Sequence, residues 1–425
     1  MLFRSGYEVI GVDADKTKVI KILSGQTPFH EKDLDKTLQK GLKNGLVITN
    51  DINTLSTCDL IFVTVGTPQQ KSGSIDLNMI KDVSRKIGKI LANTDNASTV
   101  IIKSTVVPGT TTNVVLPILE KQSKKKAGRD FGVITNPEFL RETNAIQDTI
   151  HPHVVVIGSF NDKFTKKVEK FYTDFHSNVP IVKINHQTAE MIKYANNSFL
   201  ATKISFINQI AKICEAIPGA NVDDVARTIG LDPRIGNLFL NAGPGYGGSC
   251  LPKDVKAIID FSRRCGVDSS LLDAVESINE EQLLDIIEII RKKLGIVKGK
   301  TITVLGLAFK PDTDDVRDSV SIKMIELLVK NRVRVVVHDP KAIKNTRMIF
   351  GPQIKYAKSI SEALVGSHCA IIMTSWKQYA NLSYKDFKIM KQNLIIDTRR
   401  ILGHKNLQAD YHALGIGKND NKESS

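Results

Sequence analysis

The chain has 425 residues, of which 41% are hydrophobic and 24% are charged. At roughly 150 residues per domain, this length predicts two or three domains, and the composition excludes a disordered chain. Lysine and arginine number 59 against 45 aspartate and glutamate residues, which gives a formal net charge of +14. Such a charge suits nucleic acid and phosphate-bearing small substrates equally, so it does not decide the class of ligand.

The spacing of cysteine and histidine indicates neither a metal site nor a disulfide framework. The five cysteines form no C-x-x-C pair, which excludes a zinc ribbon and favours a reducing compartment. They are Cys58, Cys214, Cys250, Cys265 and Cys369. His151 and His153 have no third ligand at a recognisable spacing. The sequence has no apolar run of about 18 residues and no signal-peptide pattern at its start, so we predict a cytoplasmic protein without a membrane span.

Short β-branched strands alternate with helical stretches in both halves of the chain, which is typical of parallel sheets covered by helices. The first set of predicted strands lies at 8–12, 60–65, 99–103, 132–135 and 154–158, and the second at 301–306, 333–338, 370–374 and 394–397. Between them the apolar period becomes helical, with long helices predicted at 188–213 and 277–294. We therefore predict two Rossmann-like doubly wound α/β domains, 1–185 and 296–425, joined by a helical domain at 186–295.

The two α/β halves have the same order of predicted elements, except that the first half has fewer elements at its start. The second half runs strand, loop, helix and strand before Asp339, whereas only a few residues precede the strand that ends at Asp13. By analogy, the first half lacks a strand, a glycine-rich turn and most of a helix. In a dinucleotide-binding fold those pieces seat the pyrophosphate, and an acid in the place of Asp13 holds the adenosine ribose. The alternative is that Asp13 is a turn residue at the end of a strand.

Two segments place polar residues directly after predicted strands, at the edge where open α/β sheets bind ligands. Segment 101–110 brings Thr105 to that edge, and segment 135–142 brings Glu138 and Glu142. If Glu138 opens a helix, the two carboxylates share one helix face. The alternative is a carboxylate pair that merely stabilises a helix start through the macrodipole.

Lys193 and Asn197 lie one turn apart in the long predicted helix, among apolar neighbours. A lysine ammonium beside an amide suits a developing oxyanion or a carboxylate. The alternative is a surface lysine whose stem covers apolar neighbours while its charge reaches water.

The loop at 241–254 is the most specific feature, because four of the six residues from Gly243 to Gly248 are glycine. Glycines let the main chain approach a ligand closely. Pro252 suits the first turn of a helix, which places Cys250 at a helix N-terminus, where Lys253 and the helix would favour the thiolate. We therefore predict that Cys250 is a nucleophile, whereas Cys214 fits a buried structural cysteine.

These segments, in this order, resemble the UDP-glucose/GDP-mannose dehydrogenase family, and the resemblance covers about residues 6–414. Segments 136–142, 243–254 and 306–317 look like the UDP-glucose 6-dehydrogenase branch of that family. The resemblance implies that NAD oxidises UDP-glucose to UDP-glucuronate in two hydride steps, through a cysteine thiohemiacetal and a thioester. It also implies a homodimer built on the helical middle, with no nucleic-acid or membrane partner and no metal.

The resemblance assigns roles residue by residue. The catalytic residues it implies are Cys250 as nucleophile, Asp254 in proton transfer, Lys193 and Asn197 at the oxyanion, Glu138 in thioester hydrolysis and Thr105 near the catalytic water. The cofactor contacts it implies are Asp13, Lys18, Thr67, Thr105, Glu142 and Arg317. The substrate contacts it implies are Glu138, Phe139, Leu140, Lys193, Asn197, Arg234, Asn241, Gly245, Tyr246, Gly247, Phe309, Lys310 and Arg399. Of these, Arg234 would reach the substrate of the partner subunit.

The chain departs from the family in opening without the first strand and its G-x-G-x-x-G turn. The strands at 8–12 and 60–65 would then lose a hydrogen-bonding neighbour and expose apolar edges. This leaves two alternatives to the leading hypothesis. One is a non-catalytic UDP-sugar-binding subunit with an impaired NAD site, and the other is a dehydrogenase of another UDP-hexose such as UDP-N-acetylmannosamine.

Overall fold

The structure is a computed structural model that describes residues 6–176, 178–403, 405 and 407–418. It divides into two compact units, Met1–Asn196 and Asn197–Ser425. We call them unit 1 and unit 2. Both contain sheets flanked by helices, so the predicted α/β class is confirmed.

Unit 1 contains a two-stranded sheet in the order β1-β2 and a five-stranded sheet in the order β3-β4-β5-β6-β7. The strands are β1 (Ile10–Val12), β2 (Val47–Thr49), β3 (Leu60–Val63), β4 (Thr99–Ile102), β5 (Gly132–Thr135), β6 (Val155–Gly158) and β7 (Ile181–Ile184). Neighbouring strands are parallel except β5 and β6, which are antiparallel. Strands β4, β5 and β6 are buried throughout and form the core of the sheet.

Strands β1 and β3 are edge strands of separate sheets. Within the described residues β1 pairs only with β2, and β3 pairs only with β4. By analogy with the second half of the chain, we expect one further strand that pairs with both β1 and β3. The structure of the described residues contains no strand that pairs with either free edge.

Among the described residues of unit 1 there are six complete α-helices, and a seventh begins there. They are α1 (Lys16–Leu23), α2 (Leu34–Lys43), α3 (Asn78–Ala92), α4 (Leu116–Ser123), α5 (Ala145–Ile150) and α6 (Asp162–Thr173), followed by α7 (His186–Glu215). Several of these helices are capped at their N-termini by a side chain that accepts hydrogen bonds from the first main-chain amides. The Asp15 carboxylate accepts the amide hydrogens of Thr17 and Lys18 at the start of α1, and Asn161 does the same for α6.

Unit 2 contains a six-stranded parallel sheet in the order β10-β9-β8-β11-β12-β13. Its strands are β8 (Thr301–Leu305), β9 (Arg334–His338), β10 (Lys355–Tyr356), β11 (Cys369–Ile372), β12 (Leu394–Asp397) and β13 (Asp410–Ala413). Its helices are α8 (Val222–Ile229), α9 (Leu251–Arg264), α10 (Ser270–Leu294), α11 (Val320–Lys330), α12 (Ile343–Phe350), α13 (Ile360–Leu364), α14 (Lys377–Ala380) and α15 (Tyr384–Phe387). The strand order reverses between β8 and β11, because successive strands are added on one side up to β10 and on the other side from β11. Ligands of such sheets bind outside the carboxyl ends of the strands at that point.

Asp339 follows β9 as Asp13 follows β1, but it has a structural role. The carboxylate is buried, with 4% of Asp339 exposed. Its Oδ2 accepts the main-chain hydrogen of Leu307 at 2.7 Å and the indole hydrogen of Trp376 at 3.1 Å. Its Oδ1 accepts the main-chain hydrogen of Ala342 at 2.8 Å. Asp339 therefore joins the loops after β8, β9 and β11.

We expect Asp339→Ala to lower the free energy of unfolding by about 3 kcal/mol, because each buried donor that loses its partner costs about 1–3 kcal/mol. Urea denaturation followed by the fluorescence of Trp376, the only tryptophan of the chain, measures this loss. Asp13→Ala is the matched control, since 42% of that side chain is exposed. An equal effect of the two substitutions would contradict the structural role of Asp339.

No described helix is both long and apolar enough to cross a membrane. A search of the described residues finds no group of three or more His, Cys, Asp or Glu side chains placed to hold a metal ion.

Candidate active site

In unit 1, Glu138 and Lys193 form an ion pair beside the carboxyl end of β5. The Lys193 Nζ lies 3.4 Å from Glu138 Oε1, and 5.4 Å from the ring centroid of Phe139. Only 5% of the Lys193 side chain is exposed, against 25% of the Glu138 side chain. Lys193 is therefore not a surface lysine, and that alternative interpretation is wrong.

Glu138 does not open a helix, contrary to the hypothesis that it shares a helix face with Glu142. Residues 136–141 have no regular secondary structure, Glu142 lies in a turn, and α5 begins only at Ala145. The Glu138 carboxylate accepts the main-chain hydrogen of Leu140, which closes a local turn. Thr143 has a left-handed φ of 67°, which a helix does not tolerate. The two carboxylates are therefore not a pair at a helix start.

Lys103 contacts Asn136, the first residue of the loop that carries Glu138. Its Nζ donates to Asn136 Oδ1 at 3.0 Å, and the hydroxyl of Tyr172 donates to the same oxygen. Burial lowers the pKa of Lys103 to about 8, with the Glu138 carboxylate acting to raise it and the Lys193 ammonium acting to lower it. Lys103 is absent from the residues that the sequence analysis singled out.

The Thr105 loop is held from two sides. Thr67, which is 7% exposed, donates its hydroxyl to the Thr105 carbonyl at 2.8 Å. The Glu190 carboxylate, on α7, accepts the main-chain hydrogens of Gly109 at 2.6 Å and Thr111 at 2.8 Å. Burial raises the pKa of Glu190. The loop is thus anchored to the helix that carries Lys193.

Asp13 and Lys18 remain accessible at the carboxyl end of β1. Their side chains are 42% and 50% exposed, and Lys18 Nζ lies 3.6 Å from Asp13 Oδ2. Asp13 also accepts the main-chain hydrogen of Asp15 at 2.9 Å. An exposed carboxylate at this edge fits the hydroxyl groups of an adenosine ribose.

In unit 2, Cys250 is the residue that precedes α9, as the sequence predicts, and Pro252 lies in the first turn. Cys250 is exposed, so the interpretation as a buried structural cysteine is wrong for it, whereas Cys214 is buried as expected. The Cys250 Sγ lies 3.6 Å from Ser249 Oγ. An exposed thiol at a helix start is placed to act as a nucleophile.

A buried carboxylate lies one turn into α9. Asp254 is 1% exposed, and its Oδ2 accepts a hydrogen from Asn197 Nδ2 at 2.6 Å. The Nζ of Lys253 lies 2.5 Å from Asp254 Oδ1. Lys253 thus pairs with the Asp254 carboxylate. The sequence analysis predicted an influence of Lys253 on the Cys250 thiol and did not predict this ion pair.

The glycine-rich loop is packed so tightly that some positions accept no side chain. Gly245 has a φ of +106°, and a Cβ there would lie 2.7 Å from Asn279 Oδ1. A Cβ at Gly247 would collide with the carbonyl oxygen of Asp318. Asn279 accepts the main-chain hydrogen of Tyr246 at 2.7 Å and donates to the Tyr246 carbonyl at 3.2 Å. The loop is therefore fixed in one shape.

Three of the predicted substrate residues lie beside this loop within unit 2. A Cβ at Gly248 would lie 2.8 Å from the ring of Phe309, over which Lys310 places its Nζ at 5.3 Å. A Cβ at Gly243 would lie 2.8 Å from Arg399 Nη1. Burial lowers the pKa of Arg399 to about 10, with Arg400 acting in the same direction. The loop is thus flanked by an aromatic ring and by cationic side chains.

Arg234, Arg317 and Asn241 are on the surface. Arg234 is 86% exposed in its side chain and pairs with Asp232 at 2.6 Å. Arg317 is 70% exposed and pairs with Asp315 at 2.5 Å. The reach of Arg234 to a partner subunit and the pyrophosphate contact of Arg317 stay predictions.

Three family models match the chain in order. Residues 1–176 match the NAD binding domain of the UDP-glucose/GDP-mannose dehydrogenase family, residues 187–281 its central domain and residues 303–404 its UDP binding domain. The chain belongs to this family. NAD is accordingly its cofactor, and the predicted family resemblance is confirmed.

Two curated relatives extend over nearly the whole chain. UDP-glucose 6-dehydrogenase TuaD of Bacillus subtilis is 40% identical over 416 residues, which are 96% of this chain and 88% of the relative. UDP-glucose 6-dehydrogenase AglM of Haloferax volcanii is 39% identical over 96% of this chain and 95% of the relative.

Solved structures share the fold. A UDP-glucose dehydrogenase from Pyrobaculum islandicum superimposes with a TM-score of 0.90 at 31% identity, covering 98% of this chain and 94% of that one. A UDP-D-ManNAc dehydrogenase from Pyrococcus horikoshii superimposes with a TM-score of 0.87 at 26% identity, over 98% and 95% of the two chains. Within the family models, Glu138 lies in the NAD binding domain, Cys250 in the central domain and Phe309 in the UDP binding domain.

Proposed function

We propose that this family member oxidises UDP-glucose to UDP-glucuronate with two molecules of NAD⁺. The observation that carries the proposal is the exposed thiol of Cys250 at the start of α9, with the buried Asn197, Lys253 and Asp254 network one turn further on. A protein that only binds a UDP-sugar needs no such nucleophile. The relatives named UDP-glucose 6-dehydrogenase support glucose as the sugar.

The reaction takes a primary alcohol to a carboxylate in two oxidations. Overall, UDP-glucose, two NAD⁺ and one water give UDP-glucuronate, two NADH and three protons. When bound, NAD⁺ would supply the hydride acceptor for each of the two oxidations at C6. The Cys250 thiolate adds to the intermediate aldehyde and forms a thiohemiacetal, which keeps the aldehyde bound. Loss of the second hydride leaves a thioester on Cys250, and water hydrolyses it.

We assign the remaining steps to residues whose surroundings suit them. Lys193 and Asn197 supply an ammonium and an amide for the developing oxyanion. We assign proton transfer to Asp254, whose carboxylate is held in position by Asn197 and Lys253. Glu138 acts in hydrolysis of the thioester, with Thr105 near the attacking water.

For the ligands, we propose that Asp13 and Lys18 bind the adenosine ribose of NAD. Further cofactor contacts come from Thr67, Glu142 and Arg317, and further sugar-nucleotide contacts from Phe139, Leu140, Arg234, Asn241, Gly245, Tyr246, Gly247, Phe309, Lys310 and Arg399. The accessibility of Asp13 and the cations beside the glycine loop support these assignments.

We also propose that the protein is a cytoplasmic homodimer with domains at 1–185, 186–295 and 296–425. The face of α7 that carries Phe199, Phe206 and Ile213 supports the dimer. These residues recur every seven positions and are 65%, 48% and 52% exposed, which is unusual for large apolar side chains. The five free cysteines suit a reducing compartment.

The test is the number of NADH formed per UDP-glucose consumed. We expect two, with UDP-glucuronate as product and less than about 1% of that rate with UDP-N-acetylmannosamine, since the site must reject the larger N-acetyl group. If UDP-N-acetylmannosamine is oxidised faster than UDP-glucose, then UDP-N-acetylmannosamine is the substrate instead. Binding of UDP-glucose without any NADH would instead favour the non-catalytic subunit.

A further inference from the structure

Lys103 is a cation that interacts electrostatically with Glu138, and the reaction steps above leave it without a role. It directly follows β4, a strand whose four residues are all buried. Its amino group donates to both oxygens of Asn136, at 3.0 Å to Oδ1 and 3.5 Å to the carbonyl. It also lies 3.5 Å from the hydroxyl of Tyr172. A lysine that ends a buried strand and binds one residue this fully is placed to hold that residue.

Asn136 is the first residue of the loop that leads to Glu138, and it is 1% exposed. Its Nδ2 donates to the Val156 carbonyl at 2.7 Å, and its main-chain hydrogen is donated to the Ile102 carbonyl at 2.8 Å. Two residues further along, Glu138 meets Lys193 at 3.4 Å. Lys103 thus fixes one end of the loop, and Lys193 fixes the carboxylate that the loop carries.

The charges around Lys103 point to the same arrangement. Burial lowers the pKa of Lys103 to about 8, the Glu138 carboxylate acts to raise it, and the Lys193 ammonium acts to lower it. Tyr172 contributes a neutral hydroxyl, because burial raises its pKa. Lys103 therefore carries its charge below about pH 8 and loses it above this pH, which removes one positive charge from the surroundings of the Glu138 carboxylate.

We propose that Lys103 is a positioning residue, which holds Asn136 in place and, together with Lys193, keeps Glu138 an oriented carboxylate for hydrolysis of the thioester. This inference rests on the proposed function, since it names the step that Lys103 serves. It predicts that hydrolysis slows as Lys103 loses its proton at alkaline pH.

The experiment compares Lys103→Met and Lys103→Arg in the full chain. We expect Lys103→Met to lower kcat by about 30-fold, which is less than the roughly 10²–10⁴-fold of a direct acid or base because Lys103 only positions Glu138, and to change the KM for UDP-glucose less than about threefold. Because hydrolysis becomes limiting, mass spectrometry of the quenched enzyme should show the acyl group on Cys250. Lys103→Arg keeps the charge and should recover most of kcat. It should also lack the alkaline decline of kcat near pH 8 that the wild type shows.

Lys167→Met is the matched control, because Lys167 also donates to one side-chain oxygen and one main-chain carbonyl, at 2.9 Å to Asp59 Oδ1 and 3.2 Å to Ala97. We expect it to leave kcat within twofold of the wild type. The proposal is overturned if Lys103→Met also stays within twofold. It is equally overturned if the Met and Arg variants lose kcat and thermal stability to the same extent, since that indicates a purely structural role.

A measurement without turnover separates this inference from the proposed function. Lysine-selective ¹³C NMR of the full chain, with the Lys103 signal assigned by its loss in Lys103→Met, gives the titration midpoint of Lys103. We expect a midpoint near 8 that falls in Glu138→Gln, because the carboxylate that favours the ammonium is gone. An unchanged midpoint overturns the coupling. A wild type that titrates as expected but forms no NADH from UDP-glucose would refute the proposed function instead.

Discussion

Replacement of Cys250 by alanine is expected to abolish the formation of UDP-glucuronate and to leave the binding of UDP-glucose almost unchanged. Removal of a covalent nucleophile should lower kcat by at least about 10⁴-fold, because neither the thiohemiacetal nor the thioester forms. The Cys250 residue is exposed, so the fold should persist. NADH formation and product chromatography measure the loss of activity, and calorimetric titration with UDP-glucose measures binding.

Cys265→Ala is a control on the same helix. Cys265 is the residue that follows α9, as Cys250 is the one that precedes it, and both are exposed. We expect the control to keep full activity. If Cys250→Ala still forms two NADH per UDP-glucose, the covalent mechanism is wrong.

Replacement of Asp254 by alanine should have the largest effect on stability. Asp254 is 1% exposed and pairs with Lys253, of which 16% is exposed, so alanine leaves a largely buried ammonium without its partner. Removing one member of a buried ion pair costs about 3–5 kcal/mol. The Asn197 amide loses its acceptor as well. Urea denaturation should show this loss, and activity should fall by about 10²–10⁴-fold through lost proton transfer.

Two further variants separate charge from hydrogen bonding. Asp254→Asn keeps an oxygen that accepts from Asn197, so it should recover part of the stability but not the activity. Asp260→Ala removes a carboxylate of the same helix that pairs with Arg264 at 2.9 Å and should cost less than about 1 kcal/mol. If Asp254→Ala is as stable as Asp260→Ala, the buried pair does not contribute as described.

The sequence predicted the buried strands well and the outer strands poorly. Gly132–Thr135 and Leu394–Asp397 have the predicted ends, because every residue is buried and the apolar run has no interruption. The sequence analysis missed four strands, which are Val47–Thr49, Ile181–Ile184, Lys355–Tyr356 and Asp410–Ala413. These strands are outermost in their sheets and partly exposed, so they lack the fully buried run of the inner strands. Main-chain pairing with a neighbour, rather than side-chain pattern, defines them.

The candidate site was predictable where residue type and spacing identify the chemistry. Cys250 before Pro252 indicated a helix start, and the structure places it there. The helix expected at Glu138 did not form, because the conformation of Thr143 depends on contacts distant in sequence. One such contact is Glu31, whose carboxylate accepts the Thr143 main-chain hydrogen at 2.8 Å.

Two supporting residues were missed although the sequence carries a signal for each. Lys103 directly follows a fully buried strand, and Asn279 interrupts the apolar face of α10, where it is 5% exposed. Polar residues in such places need partners, and the partners identify their roles. Those partners, Asn136 and Tyr246, are 33 residues away in each case, so spacing along the chain does not reveal them.

The tight packing of the glycine-rich loop limits how the preference for a sugar can change. Side chains at Gly245 and Gly247 meet Asn279 and the main chain of Asp318, so substitutions there disturb the loop before they reshape a binding surface. If the loop contacts the sugar nucleotide as proposed, new sugar preferences must arise from the residues that face the loop, such as Phe309 and Arg399. Directed evolution toward other nucleotide sugars would accordingly be most productive in libraries that keep the loop fixed and vary these facing positions.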